Sequence, residues 1–502
     1  MVHMDASAET ILEGLDDAQR AAATTVNGPV RIIAGAGAGK TRTVTRRIAY
    51  ACATGEWDPR RALAVTFSVK AAAEMRSRLS QLEVDGAVKA ATFHSAALHQ
   101  IRRVWPDLCE GPFPHISRQP RELVARSLRR VTTMQVDDET VRNLQAEINW
   151  CKIHLVAPNQ QQRVCAATHR QPPAGLEPDQ FTDVYQAYET EKTARGEIDF
   201  DDILLIACHV LESYDEASAA IRSSIGWLTV DEYQDVSPLQ HRLLTRWLSG
   251  NRNICVVGDP AQTIYSFAGA SSYSLLDFAG EFGPLSADIS LNRDYRSTPQ
   301  IVNYANRVLK ASPQRDDYLV LQSGREQGPR VTQTVYASDT EEAQGVAMRI
   351  AKLASQGVSP SDCAILTRIN AQQQILCKAL QEQHLRYRMR RDSGWQNSAL
   401  ADDAQTRLAM LEALGVGSDM NGVTISTIHA SKGLEFKHVF LIGCSEGLLP
   451  YGSPQDGDQL EEERRLLYVG VTRAEDTLHL SYARSKDCLN DGRGRRVSRF
   501  LS

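Results

Sequence analysis

The strongest chemical signal in the 502-residue chain is Ala34-Gly35-Ala36-Gly37-Ala38-Gly39-Lys40-Thr41, which follows a β-branched run at 30–33 and opens a helical pattern through Ala53. A glycine-rich turn between a strand and a helix suits phosphate. The backbone N–H groups of Ala36, Gly37, Ala38 and Gly39 and the positive helix end would cradle it, Lys40 would reach the β and γ phosphates, and the Thr41 hydroxyl would ligate Mg2+. Ala34 stands where the general motif has glycine, and Lys40 takes the place of the last glycine of a dinucleotide loop, so a Rossmann reading is disfavoured.

A phosphate loop hydrolyses nothing without a metal-side carboxylate and a base. At 227–230 a short apolar run ends in Asp231-Glu232-Tyr233-Gln234-Asp235. A carboxylate at the C-terminal end of a strand can hold the loop's magnesium, which assigns Asp231 to the metal side and Glu232 to polarising the attacking water. Gln262, in Gly258-Asp259-Pro260-Ala261-Gln262, is a candidate γ-phosphate sensor, and Arg296 and Arg473 are candidate arginine fingers from a second half of the chain.

These groups need a scaffold of parallel strands. Short β-branched runs followed by amphipathic helical patterns recur throughout, the signature of α/β sheets. Strands are expected at 30–33, 63–67, 227–230 and 254–257 in a first set. A second set begins near Ile289 and includes 331–336, 363–367, 423–426, 439–442 and 477–481. The fold class is therefore α/β with two P-loop-type domains: 1–112 with 197–287, and 288–393 with 422–502. Residues 113–196 lack strand signals and read as a mostly helical insertion in the first domain; a short interruption at 394–421 falls in the second.

Composition agrees with folded domains: 42% apolar and 23% charged. With 56 basic and 61 acidic residues the net charge is −5, so a polyanion-binding surface must be a local patch. No stretch reaches the apolar length of a membrane span, and no basic-apolar leader opens the chain, which points to a cytoplasmic protein. The ten cysteines include no C-x-x-C pair and read as reduced thiols.

The motifs also occur in a fixed order. Gln19 ends LDDAQ at 15–19, then come the phosphate loop, VTFSVKAA at 65–72, TFHS at 92–95, DEYQD at 231–235, GDPAQTIY at 258–265, NRDYRST at 292–298, TIHASKGLEF at 427–436 and LYVGVTRA at 467–474. From Leu15 to about Tyr482 this set resembles the superfamily 1 DNA helicases of the UvrD, Rep and PcrA group. The resemblance implies two RecA-like domains with ATP between them, Gln19 on the adenine edge, Arg42 and Tyr295 sandwiching the adenine ring, and Glu435 on the ribose. Gln19 has the paired donor and acceptor that an adenine edge needs, and Arg42 and Tyr295 have flat faces. Single-stranded DNA would cross Phe67, Lys70, Thr92, His94, Tyr265, Phe267, Arg368, Asn370 and His429, where aromatics for bases alternate with donors for phosphates.

The chain departs from the family in two places. Typical members read Trp-Arg-Gly after the third motif's tyrosine, whereas here Ser266-Phe267-Ala268-Gly269 lacks the arginine. The interval from Arg296 to Thr427 is too short for the large helical insertion usual in the second domain. The layout resembles the second UvrD paralogue of actinobacteria, which implies a motor core shortened at its C-terminus. The expectation is a monomeric, nucleoid-associated, ATP- and Mg2+-dependent motor acting 3′→5′ on single strands and single/double-strand junctions in DNA repair, with unknown protein partners. Two alternatives stay open: a translocase that strips proteins from single strands, and a DNA-binding regulator switched by nucleotide.

Overall fold

The computed structural model describes residues 6–84, 87–168, 170–390, 421–486 and 494–501; the expected interruption at 394–421 lies outside the described residues. Two six-stranded, wholly parallel sheets organise the chain. In the first, Lys89–Thr92, Ala62–Thr66, Trp227–Val230, Ile254–Gly258, Val30–Ala34 and Ala287–Leu291 lie side by side in that order. Ala62–Thr66 and Ile254–Gly258 are buried along their whole length, as expected of central parallel strands covered on both faces.

The strand near Ile289 does not open the second sheet. Ala287–Leu291 pairs with Val30–Ala34 at the edge of the first, with Ile289 opposite Ile32. Its alternating sequence, Ala-Asp-Ile-Ser-Leu, leaves Asp288 and Ser290 exposed, which suits an edge and not a central strand. The chain thus passes to the second domain after Leu291. That domain orders Thr332–Ser338, Ala474–Ser485, Phe436–Leu441, Cys363–Thr367, Val423–Thr427 and Tyr387–Arg390. Lys89–Thr92 and Tyr387–Arg390 are two further strands with little sequence signal: the first is alanine-rich, the second half arginine, and both are edge strands.

Between the first sheet's strands the chain makes an excursion of helices, Pro120–Val131, Asp138–Ile153, Gln161–Thr168 and Pro178–Ala194, closed at its base by a parallel pair of His115–Ile116 with Glu197–Ile198. Buried charge ties it down. Lys152 and Lys192 face Glu189, Asp199 and Asp202: Lys152 lies 2.7 Å from Asp202 and 2.8 Å from Glu189, while Lys192 lies 2.9 Å from Asp199 and 2.6 Å from Asp202. Lys152 also pairs with Asp199, and Tyr188 donates to Asp199 at 3.0 Å. The three carboxylates come close enough to hold a metal, but the two ammonium groups already neutralise them. Because Asp199 and Asp202 cap helix Phe200–Ser213 of the first domain, the network fixes two insertion helices to that domain.

Among the described residues no helix is long and apolar enough to cross a membrane. Removing one partner of a buried network leaves charge uncompensated. Lys152→Met should therefore cost about 3–5 kcal/mol of stability, seen as a lower urea midpoint for the transition that includes the insertion; an unshifted midpoint would mean the lysine is dispensable.

Candidate nucleotide cleft and nucleic-acid track

Strand Val30–Ala34 delivers the glycine loop to the N-terminus of helix Lys40–Ala53. Gly37 and Gly39 have φ of 70° and 76°, the left-handed region where a side chain is strained. Space forbids one at Gly37 as well, since a Cβ there would lie 2.0 Å from Oδ1 of Asp294, across the cleft. Lys40 donates to the Ala34 carbonyl at 3.3 Å, within the loop it serves. Thr41 follows on the first helical turn, half-buried.

The residues expected around the base line the same loop. Gln19 is 1% exposed; its amide donates to the Ala38 carbonyl at 3.0 Å and accepts from the Asp16 N–H at 3.2 Å, so it braces the loop from helix Asp17–Thr24. Arg42 is exposed and donates to the Gly14 carbonyl at 3.0 Å. Tyr295 is exposed too, with its N–H on the Gly37 carbonyl at 3.0 Å, its hydroxyl on Asp16 and the Arg293 guanidinium 5.2 Å over its ring.

Strand Trp227–Val230 places Asp231 next to the loop strand's neighbour, with its N–H donating to Val65 at 2.9 Å. Glu232 follows at φ 53°, ψ 44°, a strained conformation for glutamate of the kind found at functional sites. Burial, reinforced by the adjacent Glu232, pushes Asp231 up to about 7, against the pull of Lys40. Burial acts on Glu232 too, but Lys40, Lys432, the Gln234 amide and Arg473 together outweigh it and hold Glu232 below its ordinary value. The environment thus separates the two carboxyls, one kept ionised and one short of compensating charge. The donor set of Asp231 and the Thr41 hydroxyl fits a hard divalent cation, which would supply that charge.

Positive groups arrive from the second domain. Arg473, 2% exposed after helix Gly457–Val471, donates to the carbonyls of Val469 at 2.9 Å and Leu434 at 3.1 Å, to the Thr472 hydroxyl at 3.0 Å and to Oε1 of Gln262 at 3.5 Å. Burial, then Arg296, lowers its pKa to about 10, so it stays charged at neutral pH. Gln262 is oriented by its own amide N–H on Asp259 at 2.7 Å. Arg296 is held by Glu435 at 2.6 and 2.7 Å, so Glu435, expected at the ribose, here engages the candidate finger.

Two cleft residues went unassigned although both lie inside motifs already read. Lys432 donates to Asp235 and, at 2.7 Å, to the Gln262 carbonyl, and stands 5.1 Å over the Tyr265 ring. Tyr468 accepts from the Ala36 N–H and donates to Asp259, both at 3.4 Å. Their type and motif position were the available signal; which domain they faced was not.

On one face of the cleft lie four rings from both domains. Phe67 stacks on Tyr265 at 5.5 Å, Phe267 meets Tyr265 at 5.9 Å edge-on, and His429 sits 6.1 Å from Phe267 and 6.2 Å from Tyr265. Phe267 is 65% exposed, and burial, with Arg368 and Lys432, lowers His429 to about 4, leaving it neutral. Arg368 chelates Glu463 at 2.5–3.0 Å and underlies Tyr451; Asn370 and Lys70 are exposed. Thr92 and His94 do not join the row. Thr92 is buried and caps helix Phe93–Leu108 by accepting from the Ser95 N–H at 3.2 Å, and His94, on that helix's inner face, stacks 3.7 Å from Phe200, where burial lowers it to about 3.

Two parallel sheets, with a glycine loop on one and arginines from the other at the cleft between them, define a two-domain α/β architecture of the P-loop type. Residues 15–283 match the UvrD/REP helicase N-terminal domain, and residues 289–394 and 404–485 match the UvrD-like helicase C-terminal domain. The chain belongs to the UvrD/Rep helicase family. It is 37% identical to the ATP-dependent DNA helicase UvrD2 of Mycobacterium tuberculosis (strain ATCC 25618 / H37Rv), with 99% of this chain and 83% of that protein covered. It is 26% identical to the ATP-dependent DNA helicase PcrA of Staphylococcus aureus (strain NCTC 8325 / PS 47), covering 98% and 86%. The UvrD2 alignment runs over 585 residues against 502 in this chain, so that relative carries segments this chain lacks.

An arginine finger stabilises charge that develops only in the transition state. Arg473→Ala should lower kcat for nucleoside triphosphate hydrolysis by about 10³-fold while fluorescent-nucleotide binding persists. An unmodified rate in a folded variant would remove Arg473 from the chemistry.

Proposed function

We propose that the chain is a DNA-dependent ATPase that moves 3′→5′ along single-stranded DNA and separates duplex at single/double-strand junctions, in the service of DNA repair. The observation that carries this reading is the short segment 262–267. Gln262 meets Arg473 in the cleft, and three residues later Tyr265 stands in the ring row, with Lys432 touching both ends. A change at the γ-phosphate therefore has a direct mechanical route to the bases.

In this reading the N–H groups of Ala36 to Gly39 and Lys40 bind the triphosphate, and Gln19, Arg42 and Tyr295 surround the adenine. Thr41 and Asp231 would hold Mg2+, which when bound neutralises the phosphates and orients the attacked group. Glu232, kept ionised, takes the proton of the attacking water. Arg296 leaves Glu435 for the γ-phosphate, freeing Glu435 for the ribose, while Arg473 and Gln262 read the same phosphate. Closure and reopening of the cleft would alternate the grip of Phe67, Tyr265, Phe267 and His429, with Lys70, Arg368 and Asn370 at the strand backbone. Thr92 and His94 stand outside the four-ring row.

A second reading, a translocase that strips bound proteins without sustained unwinding, is favoured by the short Arg296–Thr427 interval and by the segments present in UvrD2 and missing here. ATP hydrolysis should rise at least about 10-fold on adding single-stranded DNA, and Glu232→Gln should abolish the stimulated rate. Turnover indifferent to DNA would defeat both motor readings. A 3′-tailed duplex left intact while streptavidin is displaced from a biotinylated 5′ end would select the stripping translocase.

A further inference from the structure

The helical insertion meets the loop that carries Phe267. Helix Asp138–Ile153 ends against that loop, and a column of stacked groups stands on that end. The Trp150 and His154 rings, one helical turn apart, stack at 4.2 Å and 26°, with His154 Nδ1 2.8 Å from the Trp150 carbonyl oxygen. The Arg170 guanidinium lies 3.9 Å from the centre of the Trp150 ring and is fixed by two 2.7 Å hydrogen bonds to Glu147.

Gly269 lies at the foot of this column. Its φ is 81°, and a Cβ there would lie 2.6 Å from Cγ2 of Ile153 and 3.3 Å from Cε1 of His154, so the loop backbone is pressed against the helix end. The loop closes on Tyr265, whose carbonyl accepts from the N–H groups of Ala268 at 2.9 Å and Ala270 at 3.1 Å. Phe267, mostly exposed, makes edge-on ring contacts with Tyr265 and His429. A ring so exposed offers a stacking face only if its backbone is held from behind, and the stacked column provides that hold. Burial lowers His154, with the Arg170 charge adding to it and the Trp150 carbonyl opposing, so the ring is neutral and acts by packing.

We infer that Arg170, Trp150 and His154 form a strut through which the insertion sets Phe267 against the bases of a single strand. They are positioning residues. The inference rests on the ring row being the nucleic-acid track, and the test separates the two ideas.

Anisotropy of a labelled oligodeoxythymidylate would be measured with the full chain and with His154→Ala, His154→Phe, Phe267→Ala and the His154→Ala/Phe267→Ala double variant. Stacking is worth about 1–3 kcal/mol per base, so Phe267→Ala and His154→Ala should each raise Kd at least about 5-fold. His154→Phe, which keeps a ring on Trp150, should restore most of the affinity. The double variant should bind no worse than Phe267→Ala alone, because a strut has no effect once its ring is gone. An additive double variant, or a His154→Ala chain that binds as the parent does while Phe267→Ala is weakened, overturns the strut. If Phe267→Ala itself binds normally, the ring-row assignment fails and the strut falls with it.

Discussion

Buried charge in the cleft is the constraint on which the rest depends. Lys40, Asp231, Glu232, Asp235, Lys432 and Arg473 crowd a space with little water, where a lone ion costs several kcal/mol and a paired one is tolerated. The pairing is divided between domains: Asp235 of the first finds its cation in Lys432 of the second, and Arg473 of the second finds Gln262 in the first. Asp235 depends on the other domain for its cation. Compensation across the gap, with a shared apolar core in which Ala36, Ala261 and Ile264 pack among residues such as Ile301 and Leu466, is what makes two separate sheets one machine.

This division of charge gives the cleft its chemical direction. In the proposed reading a triphosphate would bring negative charge to a loop already braced by Gln19 and pressed by Asp294, to be answered by Lys40 on the near side and two arginines on the far side. Arg296 is already paired with Glu435 and can exchange partners without ever being left uncompensated. Exchange between preformed ion pairs costs less than exposing a bare charge, so the network favours a small movement between discrete arrangements over gradual loosening.

Much of this was legible in the residues alone because motif chemistry depends on local order. The strand, glycine turn and helix around Lys40, and the carboxylate pair after 227–230, need only a few neighbours along the chain to be read. The edge strand Ala287–Leu291 was misplaced because alternating polar sequence announces an exposed edge without saying of which sheet. Lys89–Thr92 and Tyr387–Arg390 carry only one β-branched or aromatic residue each, Thr92 and Tyr387, too little to signal a strand. Motif position alone does not show that Thr92 and His94 are buried, because which face of a helix looks inward depends on packing against Phe200, more than a hundred residues away. Lys432 and Tyr468 show the same limit from the other side: type and spacing were visible, but the partner in the other domain was not.

The altered third motif can be understood in these terms. Ala268 takes the place where relatives of the family have arginine, so no cation comes to the ring row from that position. Lys432 does stand at the row, 5.1 Å over Tyr265, and it comes from the opposite domain while also pairing with Asp235. A cation–π contact contributes about 0.5–2 kcal/mol, and here it exists only while the two domains are together. In the proposed motor, closure of the cleft would therefore reach the ring row through this side chain, where a cation on the row's own loop would act regardless of what the other domain did.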